Sequence, residues 1–210
     1  MIHTILFDID GVLIDSFEAN LQFMQALLSK AGYPPPTREE YLPLFQVSMM
    51  DVIKTVTKST NEQEIDRIMT MGKENRFDMY SYDLIKAPKK MNEIIKQLHK
   101  NYKLGLVTSR LKKFIFDIHQ LQPIQKYFDV VISFDDTENH KPHPDPLFLA
   151  MKQLNVKPQE TIYVGDQQAD FLAARAAGTK IIMFTKEPFP DADVCVTSFA
   201  DIPNAILKVA

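Results

Sequence analysis

The sequence predicts a doubly wound parallel α/β sheet with an inserted all-helical segment, and three observations predict it. Five apolar runs of strand length, at residues 5–7, 104–107, 130–132, 162–164 and 181–184, end in polar or glycine-containing sequence. Such short, bounded runs are the mark of parallel strands buried on both faces. Helical patterns lie between most of them, so strand alternates with helix from Tyr102 onward, as a doubly wound sheet requires. Between Asp15 and about Ala87, by contrast, the chain offers only helical patterns.

In the alternating part, Met91, Ile94, Ile95 and Leu98 form an apolar stripe, with Pro88 in the place of a first-turn proline. Asp145-Pro146 reads as an N-cap and a proline at the first helical position, ahead of Leu147, Leu149, Ala150, Met151 and Leu154. The stretch from Ala169 to Ala177 is closed by Gly178, a residue suited to a left-handed helix end. In the insert, helices are expected over 17–31, over 49–58 with Ser48 and Asp51 as a capping box, and over 62–80. Gly32-Tyr33-Pro34-Pro35-Pro36 cannot be helical. The expected organisation is a core of residues 1–14 and 88–210 with a helical insert of residues 15–87, a long helical crossover being the plainer alternative. Lys89-Lys90 and Lys112-Lys113 read as solvated helix faces.

At 210 residues the chain suits one domain carrying a smaller insert. Its 24 basic and 27 acidic side chains give a net charge of −3, which does not attract nucleic acid. With 45% apolar residues it can bury a substantial core, so general disorder is excluded. The single cysteine, Cys195, cannot form an internal disulfide and, between Val194 and Val196, reads as strand filler. The opening Met1-Ile2-His3-Thr4 carries no basic, apolar leader pattern, and no run approaches a membrane span. The expectation is a cytoplasmic monomer or weak homodimer with no nucleic-acid or membrane partner.

Four strand ends carry chemistry. The first strand empties into Asp8-Ile9-Asp10-Gly11-Val12-Leu13-Ile14-Asp15-Ser16. Acids directly after a buried strand are costly unless they hold a charge or a metal. Asp8 and Asp10 share a side in extended chain, at the carboxyl edge where α/β proteins place ligands. Asp15 and Ser16 read as turn and N-cap. At the second strand end, Thr108-Ser109-Arg110 supplies a hydroxyl and backbone N–H groups where a helix pattern starts, a seat for an anion. Third, Pro142, Pro144 and Pro146 stiffen the loop that carries Lys141, a fixed ammonium at the same edge, while His140 and His143 read as loop residues. Last, Gly165-Asp166-Gln167-Gln168-Ala169-Asp170 returns two more acids, Asp170 one turn beyond Asp166. Oxygen ligands from Asp8, a backbone carbonyl near Asp10, and Asp166 suit Mg²⁺.

On these motifs, D-x-D-G-V-L-x-D-S, Thr108 with Ser109, Lys141-Pro142 and G-D-x-x-x-D, the chain resembles the haloacid dehalogenase superfamily, in its phosphatase branch with a helical cap on a Rossmann-like core. It looks most like the phosphoglycolate phosphatase group, whose relatives include a pyrophosphatase and β-phosphoglucomutase. The resemblance implies Asp8 as nucleophile, Asp10 as general acid and base, and Mg²⁺ on Asp8, Asp10 and Asp166. It implies Thr108, Ser109 and Lys141 on the phosphoryl oxygens of a small phosphorylated metabolite, with Asp170 orienting Lys141 or metal-bound water. A dehalogenase would need neither Mg²⁺ nor a proton donor, and a binding-only domain would lack the nucleophile or the lysine.

In the resembling mutases a histidine lies twelve positions after the nucleophile, and an arginine follows a glycine-containing cap loop. Here the position is Asn20, and the loop reads Phe45-Gln46-Val47-Ser48-Met49-Met50. Hydrolysis is therefore expected over phosphomutase chemistry. The plainer reading makes Met49 and Met50 core residues of the insert, with Arg76, late in the insert, supplying the missing charge.

Overall fold

The computed structural model describes residues 1–45 and 47–209. The chain divides into two compact units, Met1–Asp15 with Lys86–Ala210, and Ser16–Ile85.

The first unit holds a six-stranded sheet: β1 (Thr4–Phe7), β2 (Lys103–Val107), β3 (Val130–Ile132), β4 (Thr161–Gly165), β5 (Lys180–Phe184) and β6 (Val194–Val196). The order is β3-β2-β1-β4-β5-β6, and every pairing is parallel. The direction of winding reverses between β1 and β4, the switch point at which such sheets open a ligand crevice. All four residues of β1 and all five of β4 are buried, which is why these strands read as unbroken apolar runs. On one face Leu6, Val107 and Tyr163 pack with Leu147, Ala150 and Phe171, contributed by α7 (Asp145–Leu154) and α8 (Gln168–Ala177). On the other, Phe7 stacks against Phe199 at 6.3 Å and meets Phe128 edge-on at 6.4 Å. Gly178 ends α8 in the left-handed conformation, at φ 74°.

Several expectations need correction. The helix expected after Thr108 does not form: among the described residues the β2–β3 connection contains only 3-10 turns, Lys112–Phe114 and Gln122–Tyr127. Ile115, Ile118, Leu121 and Ile124 are all fully buried, and their spacing of three matches the 3-10 period, with Pro123 a further obstacle to an α-helix. Lys112 and Lys113 are thus exposed on a turn, and Lys89 and Lys90 on the turn before α6 (Met91–Leu98). Pro88 precedes that helix, its carbonyl accepting the Met91 N–H. Asp145 lies inside α7, with Pro144 at the N-cap position. Cys195 does sit in a strand, but β6 is the sheet's edge and the thiol is exposed.

The second unit is helical: α1 (Phe17–Ala31), α2 (Arg38–Tyr41), α3 (Met49–Thr57), α4 (Glu62–Glu74) and α5 (Arg76–Met79). The N-terminus of α3 is capped by Ser48, whose Oγ accepts the Asp51 N–H at 3.2 Å. Ser16 precedes α1 without capping it, its hydroxyl accepting the Asn20 side-chain N–H at 3.0 Å. The helix expected over 62–80 is broken at Asn75, whose side-chain amide donates to the Met71 carbonyl at 2.8 Å and competes with the helical ladder. Met50 is 39% exposed and Met49 half-buried, so they are not core residues. Gln46 of the loop before them lies outside the described residues. Arg76 rests over the rings of Tyr80, at 4.3 Å, and Phe23, at 5.4 Å.

Candidate active site

The two middle strands of the first unit deliver the acids. Asp8 extends the β1 ladder by one bond, its N–H donating to the Val164 carbonyl at 2.9 Å, and so stands at the carboxyl edge beside β4. The chain then folds back at once, with the Leu13 and Ile14 N–H groups donating to the Ile9 carbonyl. This turn requires Gly11 at φ +78°, and a Cβ there would stand 1.9 Å from Asp166 Oδ2. Gly11 therefore lets the Asp166 carboxylate settle directly against the β1 turn. Gly165 does the same for Asp170, whose Cβ would be 2.3 Å from a side chain at that position.

Lys141 sits at the centre. Its Nζ lies 3.0 Å from Asp8 Oδ1, 2.7 Å from Asp170 Oδ1 and 3.0 Å from the Tyr163 hydroxyl. The three charged side chains are 7% exposed or less. The Lys141–Pro142 peptide is cis, and α7 begins shortly after it, at Asp145. Asp170 is fully engaged: besides Lys141 and Tyr163, it accepts the backbone N–H groups of Asp166 and Gln167, each at 3.1 Å. It reaches back from the first turn of α8 as a capping residue, which corrects the expected helical-turn relation to Asp166, since Asp166 precedes the helix.

Asp10 faces a different cation. Its two oxygens accept from Arg110 Nε at 2.6 Å and from the Arg110 terminal nitrogen at 2.7 Å, a two-point fork. Thr108 is buried, its N–H donating to the Ile132 carbonyl at 2.9 Å and its hydroxyl accepting the Arg110 N–H at 3.2 Å. Ser109, next to it, is exposed. With no α-helix following, these residues form a turn and lack a helix dipole. His140 stacks on Phe134, ring centroids 3.7 Å apart, and His143 Nδ1 lies 3.1 Å from Asp145. Neither histidine belongs to a group of potential metal ligands among the described residues.

That group is acidic: Asp8, Asp166 and Asp170 offer oxygens all within 4.8 Å of one another. Burial, reinforced by the neighbouring carboxylates, pushes Asp8 up to about 7 despite Lys141, and Asp166 up to about 8. Asp166 Oδ1 is buried without a hydrogen-bond partner among the described residues. Four carboxylates facing two cations leave the site two negative charges in excess when all are ionised. An orphaned oxygen and this excess both fit a hard divalent cation, and Asp170, its lone pairs already committed, is the member least free to bind one.

The haloacid dehalogenase-like hydrolase family model matches residues 5–184. The chain belongs to that family. It is 34% identical over 182 residues to the pyrophosphatase PpaX of Bacillus cereus, covering 85% of this chain and 81% of that protein. Among solved structures it is similar to a provisionally assigned phosphoglycolate phosphatase from Lactobacillus plantarum, with 26% identity, a TM-score of 0.82, and coverage of 98% and 100% of the two chains. A subfamily IA haloacid dehalogenase hydrolase from Geobacter sulfurreducens gives 26% identity and a TM-score of 0.79, covering 97% of this chain and 95% of that one.

In this haloacid dehalogenase-like hydrolase, Asp8, Lys141, Asp166 and Asp170 form one contiguous cluster, and Asp10 and Thr108 meet through Arg110. Tyr163, and the pairing of Arg110 with Asp10, escape sequence reasoning. Arg110 follows the Thr-Ser pair, and its position beside a hydroxyl at a strand end is the available signal. Tyr163 is hidden inside an apolar run, yet its hydroxyl lies 2.9 Å from Asp170, 3.0 Å from Lys141 and 3.2 Å from the Val107 carbonyl. No sequence signal marks it.

Proposed function

We propose that this chain is a Mg²⁺-dependent phosphatase that hydrolyses a small phosphate monoester through a phosphorylated Asp8. The observation that carries this reading is the buried cluster of Asp8, Asp166 and Lys141, with the partnerless Asp166 Oδ1. Asp8, the Asp10 backbone carbonyl and Asp166 would hold the metal, which supplies screening between an attacking carboxylate and an anionic phosphate. Asp8 attacks phosphorus. The bond to the leaving oxygen breaks, its electron pair stays on that oxygen, and Asp10 delivers a proton to it. Water then attacks the aspartyl phosphate and gives its proton to Asp10, and the electron pair of the breaking P–O bond returns to Asp8 as phosphate leaves. Thr108, Ser109 and Lys141 hold the phosphoryl oxygens, and Asp170 holds Lys141. The helical unit, residues 16–85, corresponds to the helical cap that the family resemblance implies, and Asn20 with a loop lacking arginine and lysine favours hydrolysis over phosphomutase chemistry.

The likeness to phosphoglycolate phosphatases favours a small carboxylated monoester. A second reading, inorganic pyrophosphate, is favoured by the 34% identity to PpaX. Purified protein assayed with phosphoglycolate and with pyrophosphate, each with Mg²⁺ and with EDTA, separates them. Phosphate release from phosphoglycolate that EDTA abolishes and Mg²⁺ restores is the expected result. Preference for pyrophosphate would select the second reading, and full activity in EDTA would overturn both.

A further inference from the structure

We propose that Arg110 is a positioning residue for Asp10, holding its carboxylate by both oxygens so that proton transfer occurs from one tethered orientation. The inference rests on the acid and base role given to Asp10 above. Its geometry is independent of the metal cluster: Nε and a terminal nitrogen of Arg110 reach the two Asp10 oxygens at 2.6 and 2.7 Å across 100 residues of sequence. The Arg110 side chain is 10% exposed and that of Asp10 25% exposed, so the pair is partly shielded from water.

Arg110 is itself anchored to two strand ends. Its N–H donates to the Thr108 hydroxyl at 3.2 Å, and its carbonyl accepts the Phe134 N–H at 2.9 Å, just beyond β3. The backbone at Asp10 is pinned by the Asp10–Ile14 bridge, and the fork from Arg110 acts on the side-chain torsions, which a backbone bridge does not set. Rotation would carry the carboxylate away from the substrate, and misplacement by about an ångström is costly in proton transfer. A planar fork removes both torsions at once, which a lysine ammonium cannot do. With both oxygens occupied, one N–H···O bond must open before that oxygen can carry the proton to the leaving group, while the other bond keeps the carboxyl group aimed. Arg110 thus acts through Asp10 and not on the phosphoryl group, which is assigned to Lys141 and Thr108.

This role predicts a dependence on the leaving group. In single turnovers with Mg²⁺, the Arg110→Gln variant should release phenol from phenyl phosphate roughly 10- to 100-fold more slowly than the parent, within the range a general acid contributes. Release of nitrophenolate from p-nitrophenyl phosphate, which needs little protonation, should change by less than about 3-fold. The KM for phenyl phosphate should move little, and Arg110→Lys should recover part of the rate. In an Asp10→Asn background, Arg110→Gln should slow phenol release no further. Equal losses with both esters, additive losses in the double variant, or a raised KM at unchanged kcat would each overturn the proposal. Should Arg110→Gln fail to fold, the leaving-group comparison on Arg110→Lys decides by the same criteria. Asp10→Asn alone is the control for the underlying reading: undiminished phenol release there removes the role of Asp10 itself, whereas its loss together with an indifferent Arg110 refutes only the positioning.

Discussion

At the carboxyl edge of the sheet, Lys141 is held between Asp8 and Asp170, all three nearly shut off from solvent. At the amino edge, Asp193 is held between Arg175 and Lys180, both at 3.1 Å, with the two cations 41% and 49% exposed. The first cluster buries more acid than base, and the second surrounds one acid with two bases. Asp193 also accepts the Ile181 N–H at 3.0 Å and so ties the start of β5 to the start of β6. A fold selected only for stability gains little from the first arrangement, because burying charges costs several kcal/mol per ion and apolar side chains of like volume serve as well. The excess of buried carboxylate fits the divalent cation proposed above. In the amino-edge cluster the single carboxylate is already paired with two partly exposed cations, so it needs no such partner.

Lys141→Met should break the first cluster most severely. It leaves Asp8 and Asp170 buried without their shared cation, a loss of about 3 to 5 kcal/mol, offset in part as Asp8 takes up a proton. Phosphatase activity should vanish, and thermal unfolding should show the lost stability. An active, equally stable variant would mean that the ion pair is incidental.

Tyr163→Phe is a gentler cut through the same cluster. It removes the hydroxyl lying between Lys141, Asp170 and the Val107 carbonyl but keeps the ring among Leu6, Leu147 and Ala150. Stability should fall by about 1 to 3 kcal/mol, the cost of leaving buried partners unsatisfied, and kcat should fall more than KM rises. A change confined to stability would make Tyr163 a core residue and nothing more.

Asp193→Asn should have the smallest effect, roughly 0.5 to 1 kcal/mol, with activity intact. Burial raises the Asp193 carboxyl, but the Ile181 N–H, Lys180 and Arg175 outweigh it and hold the group below its ordinary value of 3.8. Stability from a depressed carboxyl is fully present above its unfolded pKa and lost as pH falls through the folded one. The gap between parent and variant, measured by denaturant unfolding, should therefore be constant near neutrality and close below about pH 4. A gap that persisted in acid would show that packing, not charge, is responsible.

Much of this contrast can be read from residue order alone. Buried parallel strands are continuous apolar runs, so an acid directly after one stands out, and Asp8 and Asp166 are visible on that ground. Lys141 is visible because prolines crowd its loop. What stays hidden depends on partners distant in sequence. Arg110 reaches Asp10 across 100 positions, and Tyr163 turns its hydroxyl out of a strand that reads as apolar filler. The 3-10 connection after Thr108 is not legible because residues spaced by three also fit a helix of period 3.6 over a short window. β6 is legible only as Cys195 between two valines, because its middle residue is exposed and the run is not the buried apolar stretch that marks the other strands.

The central claim is that Asp8 accepts the phosphoryl group. Incubating the protein with Mg²⁺ and phenyl phosphate, quenching in acid within a turnover and mapping peptides by mass spectrometry tests it most directly. One phosphoryl group on the peptide carrying Asp8, absent from the Asp8→Asn variant, is the predicted result. A phosphoryl group on any other residue, or the same modification in Asp8→Asn, would contradict the account.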